Sequence, residues 1–130
     1  MISECYLVEP FVCKETDTVA DVGTKLRKFD QRHIFVVADD KPVGIISVTD
    51  ILDKVVSAGK NAAQVLAKEV MTRDIIIFDD GDDVRKAYKA MFEKKIVSCA
   101  ITQHDKIVGI LTLKEAISSV TNPKNIFKGM

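Results

Sequence analysis

The sequence predicts a mixed α/β (α+β) fold: two βαββα units, each a small sheet with helices on it, packed sheet to sheet about a pseudo-twofold axis. Three observations predict it. The chain repeats itself at half its length. Within each half, short β-rich runs alternate with apolar residues at helical spacing. And 47% of the 130 residues are hydrophobic, enough to build a core at this size.

The repeat is read directly. Val43-Gly44-Ile45-Ile46-Ser47-Val48-Thr49-Asp50 recurs as Val108-Gly109-Ile110-Leu111-Thr112-Leu113-Lys114-Glu115. The same spacing aligns Glu4 with Glu69, Asp17 with Asp82, Val19 with Val84, and Asp40-Lys41 with Asp105-Lys106, without a gap. The repeats are taken as residues 1–65 and 66–130.

In the first repeat, Pro10–Cys13 is a short apolar run, and Asp17 or Thr18 offers an N-cap. Val19, Val22, Leu26 and Phe29 then follow at helical spacing. Ile34–Ala38 reads as a strand, 39–42 (Asp-Asp-Lys-Pro) as a turn, and Val43–Val48 as the next strand. Thr49 or Asp50 caps a second helix through Ile51, Leu52, Val55 and Val56. Asn61–Ala67 is expected to form a short linking helix. The second repeat gives strand Ile75–Phe78, an Asp82/Asp83 cap, and a helix with Val84, Ala87, Tyr88, Met91 and Phe92. Strand Ser98–Thr102, turn Gln103–Lys106, strand Ile107–Thr112 and helix Lys114–Val120 complete it, and 122–130 is expected to fray. Each unit is small for independent folding. Burying the two sheets against each other would leave a cleft between the halves.

Composition excludes several roles. Nineteen basic and nineteen acidic residues give zero net charge, which removes general attraction to nucleic acid or an anionic membrane. Apolar runs are too short to span a bilayer, and the amino terminus lacks the pattern of a secretory signal. Cys5, Cys13 and Cys99 are an odd number without CxxC spacing, so a reduced cytoplasmic protein is expected, without disulfide framework or zinc site. Cys13 and Cys99 lie in apolar runs and read as core. Asp79-Asp80-Gly81-Asp82-Asp83 lacks the spaced ligands of a calcium loop and reads as a solvated turn, and His104 likewise. No nucleophile–base pair or metal set stands out, so no enzyme is expected.

Ser47-Val48-Thr49-Asp50 can do more than fold. A helix start presents unpaired N–H groups suited to phosphate. Ser47 and Thr49 add hydroxyls, and Asp50 can accept from the two vicinal hydroxyls of a ribose. Gly44 admits close approach of backbone, and Ile45 and Ile46 offer an apolar wall. The competing reading is a plain helix cap. In the second copy Glu115 replaces Asp50 with a longer arm, and Lys114 puts a cation in place of Thr49, beside Thr112. The first copy is the better site.

The phrases at 44–50 and 109–115, with the element order around them, resemble a tandem pair of cystathionine-β-synthase (CBS) domains, and Glu69-Val70-Met71-Thr72 resembles the usual lead-in phrase. The resemblance runs from Glu4 to Val120. It implies a non-catalytic regulatory module binding an adenosine-containing ligand (AMP, ADP, ATP or S-adenosylmethionine) in the cleft, with no obligatory cofactor. It implies a disc-shaped homodimer that signals to an unknown regulated protein. It assigns Asp50 to ribose and Ser47 and Thr49 to ribose-phosphate contacts. It makes Thr72, Ile75 and Ile76 candidates for the adenine edge; Leu7 aligns with Thr72. It directs Arg32-His33, and Lys94-Lys95 closely preceding the matching strand of the second repeat, toward phosphate, where an Arg fork binds bidentately and His33 would respond to pH. The competing reading of these cations is helix C-terminal charge, worth about 0.3–1 kcal/mol each. The competing function is a structural dimerisation module with an empty cleft.

Overall fold

The structure is a computed structural model that describes residues 1–121; the fraying expected of 122–130 lies outside the described residues. Contacts divide the chain into two compact units. The first is Phe11–Ile75; the second joins Met1–Pro10 to the run from Ile76 onward. The spatial cut therefore differs from the halfway point of the repeat, because the first ten residues fold with the second half.

In the first unit, β1 (Val12–Lys14), α1 (Val19–Lys28), β2 (His33–Ala38) and β3 (Lys41–Ser47) form a sheet in the order β1-β2-β3. β1 runs parallel to β2 and β2 antiparallel to β3. Two residues of positive φ, Asp39 (51°) and Asp40 (64°), make the tight β2–β3 turn. Thr18 caps α1, its hydroxyl accepting from the Asp21 N–H at 3.2 Å. Val19, Val22 and Leu26 form the buried stripe of α1, packed on Cys13, Ile34, Val36 and Ile46 of the sheet. Phe29 falls past the helix end and is exposed, edge-on to Phe11 at 5.5 Å.

The second unit repeats this plan with β4 (Ile77–Asp79), α4 (Val84–Lys94), β5 (Ser98–Gln103), β6 (Lys106–Thr112) and α5 (Leu113–Thr121), sheet order β4-β5-β6. Its core of Val84, Ala87, Met91, Cys99, Ile101, Leu111 and Ala116 is joined by Ile2 from the amino terminus. Even the irregularities repeat: Val36/Val37 and Ile101/Thr102 each mark a register shift against the facing strand. Phe92, placed on the apolar stripe by spacing, is instead exposed and stacks on Tyr88 at 5.9 Å.

Four expectations need correcting. The helix after β3, α2 (Val48–Ile51), is capped by Ser47 rather than Thr49 or Asp50, and continues as a π-helical turn, Leu52–Val56. Asn61–Ala67 is no helix. The Asn61 side chain accepts the Ala63 N–H at 3.0 Å, an Asx turn that competes with helix formation, and α3 (Ala67–Val70) starts where the helix was expected to end. Ile75 and Ile76 precede β4 rather than lying in it.

The fourth concerns the gapless repeat. Ile2 and Ser3 donate to the Asp82 and Asp80 carbonyls as Ala67 and Lys68 do to those of Asp17 and Glu15, keeping the 65-position offset. Val8, however, pairs with Ile110, while Thr72 pairs with Ile45, an offset of 64. One extra residue is accommodated between Ser3 and Val8, so Val8, not Leu7, takes the place of Thr72. The strap crossing each sheet then explains the glycines: a Cβ on Gly44 would lie 2.6 Å from Met71 Sδ, and one on Gly109 2.7 Å from Leu7 Cβ. Close approach is to the protein's own chain.

Both long helices end the same way. Asp30 and Lys95 adopt φ of 52° and 56°, with Gln31 and Ile96 donating to the Leu26 and Met91 carbonyls at 2.9 Å. A left-handed residue other than glycine costs about 1–2 kcal/mol. Lys95→Gly should therefore raise stability by about 0.5–1 kcal/mol after its own unfolded-chain entropy. Urea denaturation checks this; a lower midpoint would refute it.

Candidate ligand corners

The first corner lies where β3 turns into α2. Ser47 ends the strand with extended backbone (φ −105°, ψ 163°). Its hydroxyl accepts the Asp50 N–H at 3.0 Å, and Asp50 Oδ2 accepts the Ser47 N–H at 2.9 Å, a reciprocal capping box. Asp50 Oδ1 lies 3.2 Å from Lys54 Nζ. The cap reading is thus a fact of the structure. It does not exhaust the carboxylate, whose oxygens offer about four lone-pair sites. Asp50 remains 18% exposed by its side chain, and Thr49 is exposed beside it.

Backbone pairing brings Arg32 and His33 beside this corner. His33 is the Cα partner of Ser47 across the β2–β3 ladder, and the Arg32 carbonyl accepts the Val48 N–H at 3.0 Å. Both side chains are exposed. Thr72 joins from the strap: it exchanges backbone bonds with Ile45, two residues before Ser47, at 2.9 and 3.0 Å. Ile76 lies in the other unit. It packs on the core of the second unit, while Ile75 ends the first.

The second corner has the same backbone and different chemistry. Thr112 Oγ1 accepts the Glu115 N–H at 3.1 Å, and the Leu113 N–H donates to the Val97 carbonyl at 2.7 Å. Val97 stands where the first corner has Arg32, and Ser98 where it has His33. A shallow hollow of about 510 Å³, lined by Val97, Thr112, Leu113, Lys114 and Ile117, opens there. Its lining is apolar apart from Thr112 and Lys114.

Lys54 escaped the sequence reading, although its position four residues after Asp50 on a helical pattern was the available signal. No group of three His, Cys, Asp or Glu among the described residues could hold a metal. Nor is any helix among them long and apolar enough to cross a membrane.

Cys13 and Cys99 are core groups. Burial pushes the Cys13 thiol, with help from Asp17, up to about 12, and burial does the same for Cys99, from an ordinary 9.0. A raised folded value contributes stability that is complete below pH 9 and is lost as pH climbs toward 12. Across that window each thiol should remove about 1.4 kcal/mol per pH unit. Cys99→Ala should flatten this alkaline limb in denaturant titrations; an unchanged slope would refute the assignment.

Comparison with known proteins places this geometry. The CBS domain family matches residues 2–57 and again 67–122. An uncharacterized protein of Methanopyrus kandleri is 32% identical over 104 residues, 78% of this chain and 53% of that one. The chain spans about half the length of that curated relative, and 30% of a second one from Methanocaldococcus jannaschii. Among solved structures, one ascribed to an acetoin utilization protein (AcuB) from Vibrio cholerae has a TM-score of 0.78 at 22% identity, covering 99% of this chain and 96% of its own, which shows the shared fold. Protein MJ1225 of Methanocaldococcus jannaschii, proposed as an archaeal homologue of g-AMPK, has a TM-score of 0.72 at 26% identity, covering 87% of this chain and 45% of its own. CBS pairs are commonly regulatory ligand-binding modules. The two matched segments and the twice-built βαββα plan make the conclusion plain: this chain belongs to the CBS domain family and carries two CBS domains.

Proposed function

We propose that the chain is a regulatory module without catalytic activity that binds an adenosine-containing ligand and passes its occupancy to a partner protein. AMP, ADP, ATP and S-adenosylmethionine are the candidates. The observation that carries this reading is the first corner, where the backbone brings Asp50, exposed Thr49, His33 and Arg32 together at the end of β3. Asp50 would take the ribose hydroxyls, Ser47 and Thr49 would contact ribose and phosphate, and Arg32 and His33 would neutralise phosphate. The Thr72 backbone edge would face the base. The likeness to MJ1225 supports the nucleotide class. Thr112, Lys114 and Glu115 form the weaker second site.

Thermal unfolding with and without millimolar amounts of each compound tests the proposal. A ligand at a hundred times its Kd adds about 2.7 kcal/mol, a rise in Tm of about 10 °C. No rise with any of the four would overturn it. One observation favours the second reading, a homodimerisation module with empty corners: Val48, Leu52 and Val56 share a face of α2 and its π-helical continuation at 37, 51 and 61% exposure. A second copy would cover them. Light scattering that finds a dimer, with no thermal shift from any compound, would select that reading.

A further inference from the structure

Lys54 joins two parts of the first unit that the sequence keeps apart. Its Nζ lies 3.2 Å from Asp50 Oδ1 and donates to the Val70 carbonyl at 2.8 Å. Val70 ends α3, where a carbonyl has no partner within the helix, and its side chain is buried. The next two residues are fixed on β3. Met71 fills the space over Gly44, and Thr72 exchanges both backbone bonds with Ile45. A continuous polar path thus runs from the Ser47 N–H through the Asp50 carboxylate and Lys54 to the strap Val70–Thr72. Residues 73–75 follow, and Ile76 begins the run that folds in the other unit.

No such path is seen among the described residues of the second unit. Ser119 occupies the position of Lys54, and its hydroxyl accepts from Cys5 Sγ at 3.5 Å, while Glu115 lacks the reciprocal bond that Asp50 makes to its cap. Among the described residues, the link is found at the corner with the better polar set.

We infer that Lys54 is a positioning residue that couples Asp50 to the strap Val70–Thr72, so that a hydroxyl arriving at Asp50 competes with Lys54 and loosens the strap. The reason is charge sharing. A carboxylate oxygen that takes a second strong donor holds the first less tightly, and Lys54 is the group that also holds the Val70 carbonyl. The ligand half of this inference rests on Asp50 as the ribose acceptor. The link between Asp50 and the strap does not.

Hydrogen exchange on the full chain tests the two halves separately. Without ligand, Lys54→Met should speed exchange of the Thr72 amide about fivefold relative to amides of β2. Asp50→Asn should do the same, the double variant should add nothing, and Lys54→Arg should restore protection. Unchanged Thr72 exchange in Lys54→Met, or effects that multiply in the double variant, would overturn the link. With millimolar AMP, the wild-type Thr72 amide should exchange faster, whereas Lys54→Met should keep a thermal shift and lose this response. The same response in both proteins would overturn the coupling. No thermal shift in the wild type would sink the adenosine reading, and the ligand-free cycle would still decide the link.

Discussion

Truncating Leu111 to alanine is expected to remove about 2–5 kcal/mol of stability, the largest effect of any single change considered for this protein. Leu111 is fully buried in β6 and belongs to the core cluster with Ile2, Met91, Cys99, Ile101 and Ala116. Deleting its branched end loses the transfer free energy of the removed carbons and leaves a cavity that a sheet held by its ladder closes poorly. Domains of this size have about 5–15 kcal/mol in total, so the variant approaches the limit of folding. Ile46, its counterpart in β3, is equally buried and should be as sensitive. Urea midpoints of the two variants check this. A loss below about 1 kcal/mol at either position would contradict the packing described for that unit.

Asp50→Ala is expected to act twice. It removes the acceptor of the Ser47 N–H and the partner of Lys54, costing about 1–2 kcal/mol as a lost cap and charged contact. It should also abolish the thermal shift given by adenosine compounds. Glu115→Ala is the comparison. Thr112 caps the Glu115 backbone N–H, a bond that survives the substitution, so stability should change by less than about 0.5 kcal/mol. Its effect on the shift should be the smaller of the two. If Glu115→Ala weakened binding more than Asp50→Ala, the hollow beside Thr112 and Lys114 would be the principal site. Asp50→Asn keeps the shape of the side chain and removes its charge, which separates loss of binding from loss of fold.

Much of the fold is legible in the sequence. Alternation and helical spacing are local signals, and Val19, Val22 and Leu26 or Val84, Ala87 and Met91 announce a buried face wherever the helix is placed. The misreadings share one cause, competition settled by neighbours distant in sequence or by a polar side chain. Asn61 diverted its own segment into a turn. Ser47 took the cap because the pairing of His33 with Ser47 ends the strand there. Phe29 and Phe92 meet the spacing rule but stay 54 and 65% exposed, each with a single ring, Phe11 or Tyr88, beside it. At the candidate site, Ser47, Thr49, Asp50, Arg32 and His33 were identifiable because one turn and one strand pair gather them. Lys54 was not, since its role depends on a carbonyl sixteen residues away.

Periodicity, turn chemistry and the internal repeat, all properties of neighbouring residues, were enough to establish two βαββα units, their buried faces and the strand-to-helix corners. Where the amino-terminal strap docks, the one-residue slip that sets Val8 on Ile110, the burial of Gly44 under Met71 and the tie from Asp50 through Lys54 to Val70 emerged only in three dimensions. The reason is physical. A residue's preference for helix or strand is settled within a few positions of itself, whereas the register of one segment on another is chosen by side-chain volume and hydrogen-bond closure between parts of the chain that no local pattern connects.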